Sequence, residues 1–376
     1  MQLLMVGSTT PSHVYPSLAL IAELVRRGHH VSYQIGGRLA SLVEPTGAQV
    51  ITHDTLLPDV GSDWPEDTGA AMQWFLDDQI AALPAILERS GVDAVLYDIG
   101  GFAGRVAAHH WGVPAIQLSP TYVAWQGYED DMAEFTTALK TSESGRRYFA
   151  TLRSWLDANG MSISGDDFLG RPEACVVLIP RAIQPNEERV GPEYVFAGPC
   201  IDTTRTAGWA PPQDDGRPLV YVSFGTSYTD LPDIYGRIVR ELNADYRLVL
   251  STGKVDPAEF VGLEAARVQP QLDVLAHADV FITHAGMGGT VESLWFGVPT
   301  VGVPQAVDQF TNAERLEAAG AGVRLPAEQV TVDTLRRAVE EAAGLRTRAR
   351  ALRDEVRAAG GVAASADAVE RLAAGG

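Results

Sequence analysis

The densest chemistry lies in Phe281-Ile282-Thr283-His284-Ala285-Gly286-Met287-Gly288-Gly289-Thr290-Val291-Glu292-Ser293, where an apolar strand runs into a glycine-rich turn. A helix is expected to begin near Gly288. Gly286, Gly288 and Gly289 let the backbone approach a ligand closely, and the free N–H groups of a helix start suit a diphosphate. His284, at the strand end, could give a hydrogen bond or a positive charge to the same phosphates. Glu292, on the first turns of the helix, could accept hydrogen bonds from ribose hydroxyls. Neither GxGxxG nor GK[ST] is present, so this is neither the dinucleotide fingerprint nor a P-loop. Any one of these glycines alone reads as a tight strand-to-helix turn.

The next segment makes the turn-only reading harder to keep. Gly297-Val298-Pro299 leads through Thr300–Pro304 into Gln305-Ala306-Val307-Asp308-Gln309, at the carboxyl end of the following strand. A carboxylate beside a carboxamide matches vicinal sugar hydroxyls, which both donate and accept. Upstream, Ser223, Gly225 and Thr226 close a third strand with two hydroxyls and a glycine, again suited to phosphate. Taken singly, Asp308 is a helix N-cap and Ser223 a core residue bonded to backbone. Their convergence at the strand ends of one domain favours a site.

Short apolar runs alternate with helical patterns along the chain, as a parallel α/β sheet requires. Leu3–Val6, His30–Ile35, Ala94–Tyr97, Ala115–Leu118 and Val176–Ile179 read as strands of a first sheet. Leu219–Ser223, Arg247–Leu250, Val280–Thr283 and Thr300–Val303 read as strands of a second. The Pro/Gly-rich segment between them builds no core, so 201–217 reads as a linker joining domains 1–200 and 218–376, with terminal helices in the latter. The fold class is then α/β, two Rossmann-like domains facing across a cleft lined by strand-end loops.

The 376 residues suit two domains, and the net charge of −19 argues against nucleic acid or an anionic membrane as partner. Cys175 and Cys200 are the only thiols, which fits a reducing cytoplasm without disulfides. The first residues read as a buried strand and not a signal peptide. No apolar run approaches the ~20 residues that a membrane helix needs.

His284–Asn312, with Pro270-Gln271-Leu272-Asp273-Val274-Leu275 before it, resembles the nucleotide-sugar signature of inverting plant and antibiotic glycosyltransferases of the GT-B fold. The likeness covers essentially the whole chain. Ser12–Leu18, Trp111–Ala115 and Leu118–Glu129 are similar to the bacterial macrolide glycosyltransferases, which use UDP-glucose. The resemblance implies that His13 deprotonates the acceptor hydroxyl and that Asp98 orients it. It implies that Ser223, Thr226, His284, Gly286, Gly288 and Gly289 contact the diphosphate. Gln271 would meet the base, Glu292 the ribose, and Asp308 and Gln309 the sugar. The residue chemistry agrees, since an imidazole held by a carboxylate is a suitable base near neutral pH. Alone, His13 in the Gly7–Pro16 loop reads as a surface residue, and Asp98 as a cap for a Gly100–His110 helix.

Val268 stands two residues before Pro270, where the family usually carries a tryptophan that stacks on uracil. Met287 replaces a second tryptophan of plant members. On the acceptor side Trp64, Trp74, Phe75, Trp125, Tyr128, Phe135 and Tyr148 concentrate in irregular stretches, with more than half expected in the core. Trp64, Trp74, Trp125 and Tyr128 are the acceptor candidates. Asp77-Asp78 and Glu129-Asp130-Asp131 read as a solvated face, or as a lure for a cationic amino sugar.

The expected activity is inverting transfer of glucose from UDP-glucose to a hydroxyl of a macrolide-like acceptor. A dTDP-deoxysugar donor is the first alternative. A UDP-sugar epimerase and a non-catalytic scaffold of the same fold rank below it. No metal or other cofactor is expected, and the protein is read as cytoplasmic, monomeric or weakly dimeric.

Overall fold

The computed structural model describes residues 1–59, 64–204, 207–225, 230–306 and 308–375. Thr226, an expected diphosphate contact, lies outside them. The described chain divides into two compact units, the first holding residues 1–179, 186–200 and the stretch from Gly360 onward, the second residues 180–185 and 201–359.

The first unit is built on a parallel sheet of seven strands. They are β1 (Gln2–Val6), β2 (His30–Gly36), β3 (Gln49–His53), β4 (Ala94–Asp98), β5 (Ala115–Ser119), β6 (Ala174–Val177) and β7 (Tyr194–Phe196). Their order is β3-β2-β1-β4-β5-β6-β7. Along β1, Leu3 and Met5 enter one core with Leu20, Ile21 and Leu24, while Leu4 and Val6 enter the opposite core with Leu76, Val95 and Tyr97. A strand covered on both faces must be apolar at every position, which is why β1 reads as a continuous run. The helices that position the site here are α1 (Pro11–Arg26), α2 (Thr68–Leu87) and α3 (Phe102–Trp111).

The second unit has a parallel sheet of six strands in the order β10-β9-β8-β11-β12-β13. These are β8 (Leu219–Ser223), β9 (Arg247–Ser251), β10 (Glu264–Ala266), β11 (Val280–Thr283), β12 (Thr300–Gly302) and β13 (Gly322–Arg324). Val220 and Val222 face one core, Leu219 and Tyr221 the other. Its relevant helices are α4 (Gln271–Leu275), α5 (Met287–Phe296) and α6 (Gln309–Ala318). The expected class, two parallel-sheet α/β domains, is what the chain adopts.

The domain limits differ from expectation at three places, the first being residues 180–185, which fall in the second unit. The last helix, α7 (Gly361–Ala373), belongs to the first unit and not to a domain running from 218 onward. Its Ala366, Ala368 and Val369 complete the core under α1, and Arg27 bonds Asp367 at 2.6 Å and Glu370 at 3.0 Å. Segment 201–217 is counted with the second unit: the Ala207 N–H bonds Asp273 at 2.9 Å, and Trp209 packs on the core around Leu219 and Tyr221. Among the described residues no helix is long and apolar enough to cross a membrane.

Candidate active site

In each sheet the strand order reverses once at the centre, and parallel α/β sheets bind ligands beyond the carboxyl ends of the strands at that point. In the first unit the reversal lies between β1 and β4, paired from Leu3↔Ala94 to Val6↔Tyr97. His13 follows β1 and Asp98 ends β4, so the two flank it. His13 sits in the first turn of α1 and not in a loop as expected. Pro11, in the first turn after the extended Thr10, starts the helix early, because its fixed φ suits that position and its missing N–H costs nothing there. Val14, Ser17, Ile21 and Leu24 anchor the buried face of this helix.

The His13 Nδ1 lies 2.8 Å from Asp98 Oδ2, which also accepts the Gly100 N–H at 2.8 Å. An ionised carboxylate only accepts, so Nδ1 carries the proton and Nε2 the lone pair. Asp98 is 2% exposed and the His13 side chain 25% exposed, so the carboxylate is hidden while the imidazole reaches the surface. Asp98 does not cap the helix that follows: α3 starts at Phe102 behind Gly101, with no side-chain cap. Gly101 packs so tightly on the Val6 carbonyl that no Cβ fits, which lets the two loops approach each other.

Of the expected acceptor residues, Trp64 and Trp74 pack against each other. Phe75 joins them, its ring 6.0 Å from the His13 ring and 5.5 Å from Trp64, with Trp64 5.9 Å from Trp74. Trp125 and Tyr128 pair with each other edge-to-face at 4.9 Å, and the Trp125 indole N–H donates to Asp131 at 2.6 Å. Tyr148 alone of the seven aromatics is core, against the expectation that most would be. The acidic runs are not a plain solvated face. Glu129 and Asp131 pair with Arg171 and Arg189, and Asp78 is fully buried.

In the second unit the reversal falls between β8 and β11, paired from Val280↔Val220 to Thr283↔Ser223. Ser223 closes β8 and His284 follows β11. The His284 ring lies between Gly225 and Gly286; a Cβ at Gly225 would come within 2.6 Å of it, and φ there is +79°. Nδ1 of His284 is shut off from solvent without a hydrogen-bond partner. Burial pushes the imidazole down to about 4, against a smaller upward pull from the Ser223 backbone. His284 is therefore neutral near pH 7, so the charge expected of it is absent in the free protein.

Helix α5 begins at Met287 behind Gly286 with no side-chain cap and no acidic residue in its first turn. Its leading N–H groups are thus left for an anion. Gly288 faces open space, where a Cβ would meet nothing, while Gly289 is buried against Phe281. Gln271 and Glu292, expected at base and ribose, are hydrogen-bonded to each other, and Tyr221 donates to the Gln271 carbonyl at 3.2 Å. Val268 is 79% exposed. The Gln309 carbonyl accepts the Gln305 and Ala306 N–H groups at 2.8 and 3.1 Å, leaving its NH₂ as the group with donors to offer. Asp308 precedes α6 without capping it.

Asn312 had been given no role. It is fully buried and donates to Asp308 at 2.9 Å and to the Ala285 carbonyl at 2.9 Å, tying that carboxylate to the glycine turn. The spacing Asp308–Asn312, one helical turn, was the available signal. Tyr221 was also missed, because nothing in a strand pattern marks which buried tyrosine turns its hydroxyl to a partner.

Among solved structures, the chain is similar to the glycotransferase of kitacinnamycin, with a TM-score of 0.91 at 37% identity over 99% of this chain and 98% of that one. The calicheamicin glycosyltransferase superposes with a TM-score of 0.85 at 28% identity, covering 99% and 97%. The molecule is a glycosyltransferase of the GT-B fold. The model of the family "UDP-glucoronosyl and UDP-glucosyl transferase" matches residues 175–344. Oleandomycin glycosyltransferase of Streptomyces antibioticus is 39% identical over 95% of this chain and 87% of its own length. The chain belongs to that family of transferases.

Proposed function

We propose that the protein transfers glucose from UDP-glucose, with inversion, to a hydroxyl of a macrolide-like acceptor. The observation that carries this reading is the 2.8 Å bond between His13 and Asp98 at a switch point, with an aromatic wall beside the imidazole. Nε2 of His13 takes the acceptor proton as the oxygen attacks the anomeric carbon, and Asp98 stabilises the imidazolium that forms. The aromatic wall of Trp64, Trp74 and Phe75 receives the apolar body of the acceptor. Similarity to an oleandomycin glycosyltransferase supports an acceptor of that kind.

The second unit holds the donor. Helix α5 and Ser223 take the diphosphate, Gln271 and Glu292 part from each other to meet base and ribose, and Asp308 with Gln309 holds the sugar. The diphosphate leaves against the helix dipole, which favours negative charge there. One observation favours a second donor reading. The exposed aliphatic Val268 gives the base no aromatic face, so uracil loses its usual partner and a dTDP-sugar becomes a competitor.

The test is turnover with UDP- and dTDP-sugars against a macrolide panel, with donor-dependent thermal stabilisation in parallel. His13→Ala should lower turnover by ~10²–10⁴-fold, the usual span for a lost general base, with donor affinity unchanged. Wild-type turnover in that variant would refute the assignment.

A further inference from the structure

Helix α2 is mostly apolar on its buried side, yet Asp78 and Gln79, adjacent near its middle, are 0% and 1% exposed. Packing alone does not call for them, since burying polar groups costs stability unless each is bonded, and apolar side chains of that size would serve as well. Their partners give the reason. The Gln79 carbonyl accepts the Ala103 N–H of α3 at 3.2 Å, just beyond the turn that carries Asp98. Its NH₂ group reaches the Gly7 carbonyl, in the loop that leads to His13, at a long 3.5 Å. Only this orientation of the amide faces donor to acceptor at both ends. One carboxamide thus joins the two segments that hold the base and its carboxylate.

Asp78 works on the other side of the same helix segment. One oxygen accepts the Thr55 hydroxyl at 2.7 Å, the Leu56 N–H at 2.8 Å and His53 Nε2 at 3.3 Å. His53 is held in turn by Gln34 at 2.6 Å. Burial raises the affinity of Asp78 for a proton, but the bonds from His53, Thr55 and Leu56 outweigh it and keep the carboxylate ionised. The segment after β3 is thereby pinned to α2 within one turn of Trp74 and Phe75, the second of which stands beside His13.

We infer that α2 is the brace of the acceptor site: Gln79 and Asp78 are positioning residues, the first for the His13–Asp98 pair and the second for the aromatic wall. This rests on the proposed roles of His13 and of the wall. The two residues then act on different steps. Loss of the Gln79 bridge loosens the base against its carboxylate, whereas loss of the Asp78 anchor loosens the surface that receives the acceptor.

The test compares Gln79→Met, close in size but without either bond, with Asp78→Ala, which removes the oxygen that accepts from His53, Thr55 and Leu56, both in the full chain. Gln79→Met should lower kcat by ~10–100-fold, the scale for a reacting group displaced by a fraction of an ångström to an ångström, with both KM values unchanged. In an Asp98→Ala background it should cost almost nothing more, because residues acting as a unit are not additive. Asp78→Ala should raise the acceptor KM about 5-fold or more with donor KM and kcat held, a split that general destabilisation does not produce. Should Gln79→Met fail to fold, Gln79→Glu keeps the bond to Ala103 while losing that to Gly7, and an intermediate fall in kcat is expected. Wild-type kcat in the Gln79 variants, or a loss that multiplies with Asp98→Ala, overturns the role of Gln79. An unchanged acceptor KM in Asp78→Ala, or in Thr55→Val should that variant not fold, overturns that of Asp78. His13→Ala runs alongside: full turnover there defeats the base assignment itself, whereas an inactive His13→Ala beside unaffected α2 variants defeats the brace alone.

Discussion

Acidification should strike the second unit through His284. Its imidazole is held down to about 4 by burial, against an ordinary value of 6.5, so between these two the unfolded chain binds the proton and the folded chain does not. Stability contributed by keeping the ring neutral is fully present above the ordinary value and is lost as pH falls toward the folded one. At about pH 5 the difference is RT ln[(1 + 10^1.5)/(1 + 10^−1)], roughly 2 kcal/mol, and at about pH 8 it vanishes. Urea denaturation of the wild type and of His284→Asn at both pH values isolates it. The wild type should lose about 2 kcal/mol more than the variant on acidification, the linkage figure for this one group. A nucleoside diphosphate should restore part of that loss in the wild type alone, because its charge favours the imidazolium. Parallel pH dependence in the two proteins would refute the reasoning, since the ring would then titrate like an exposed histidine.

Three further outcomes are expected. His13→Ala/Asp98→Ala should be about as slow as His13→Ala, since a residue that only orients the base adds nothing once the base is gone; multiplicative losses in steady-state rates would give Asp98 a separate role. Activity should survive EDTA, because the α5 N-terminus can itself hold a diphosphate; loss in chelator restored by Mn²⁺ would contradict this. An α-linked glucosyl donor should give a β-linked product, read as a large diaxial coupling of the anomeric proton, whereas a small coupling would point to a retaining nucleophile.

The central strands were legible because each is buried on both faces and therefore apolar throughout. β8 and β11 have the limits expected of them, and β6 begins two residues earlier than read. The strands that escaped notice lie toward sheet edges. β3 buries only Ile51, and β10 buries no residue, so neither shows an apolar run. In the site, residue types and strand-end positions pointed to the glycine turn, Asp308 and Gln309 from spacing alone. The pairing of His13 with Asp98 came only through likeness to a family, because 85 residues separate two side chains that the sheet order brings together. Tyr221 and Gln79 carry no local mark, and Asn312 has only its one-turn spacing from Asp308. Each owes its role to a partner supplied by another element. The last helix was misassigned for the same reason, since nearness in sequence says little about which core a helix completes.

That helix makes the second unit an insertion within the first. Residues 201–359 are synthesised after β7 and before α7, yet α7 supplies Ala366 and Val369 to the core beneath α1. On the ribosome, the first unit must therefore wait with that face of its core uncovered while the whole second unit emerges and folds. The Gly361 N–H on the Ala197 carbonyl, at 2.8 Å, marks where the returning chain meets the departing one. A chain stopped after Ala359 would keep every donor residue named above and lose instead the support under the helix that bears His13. Damage at the far end of the sequence would reach His13 long before it reached the glycine turn.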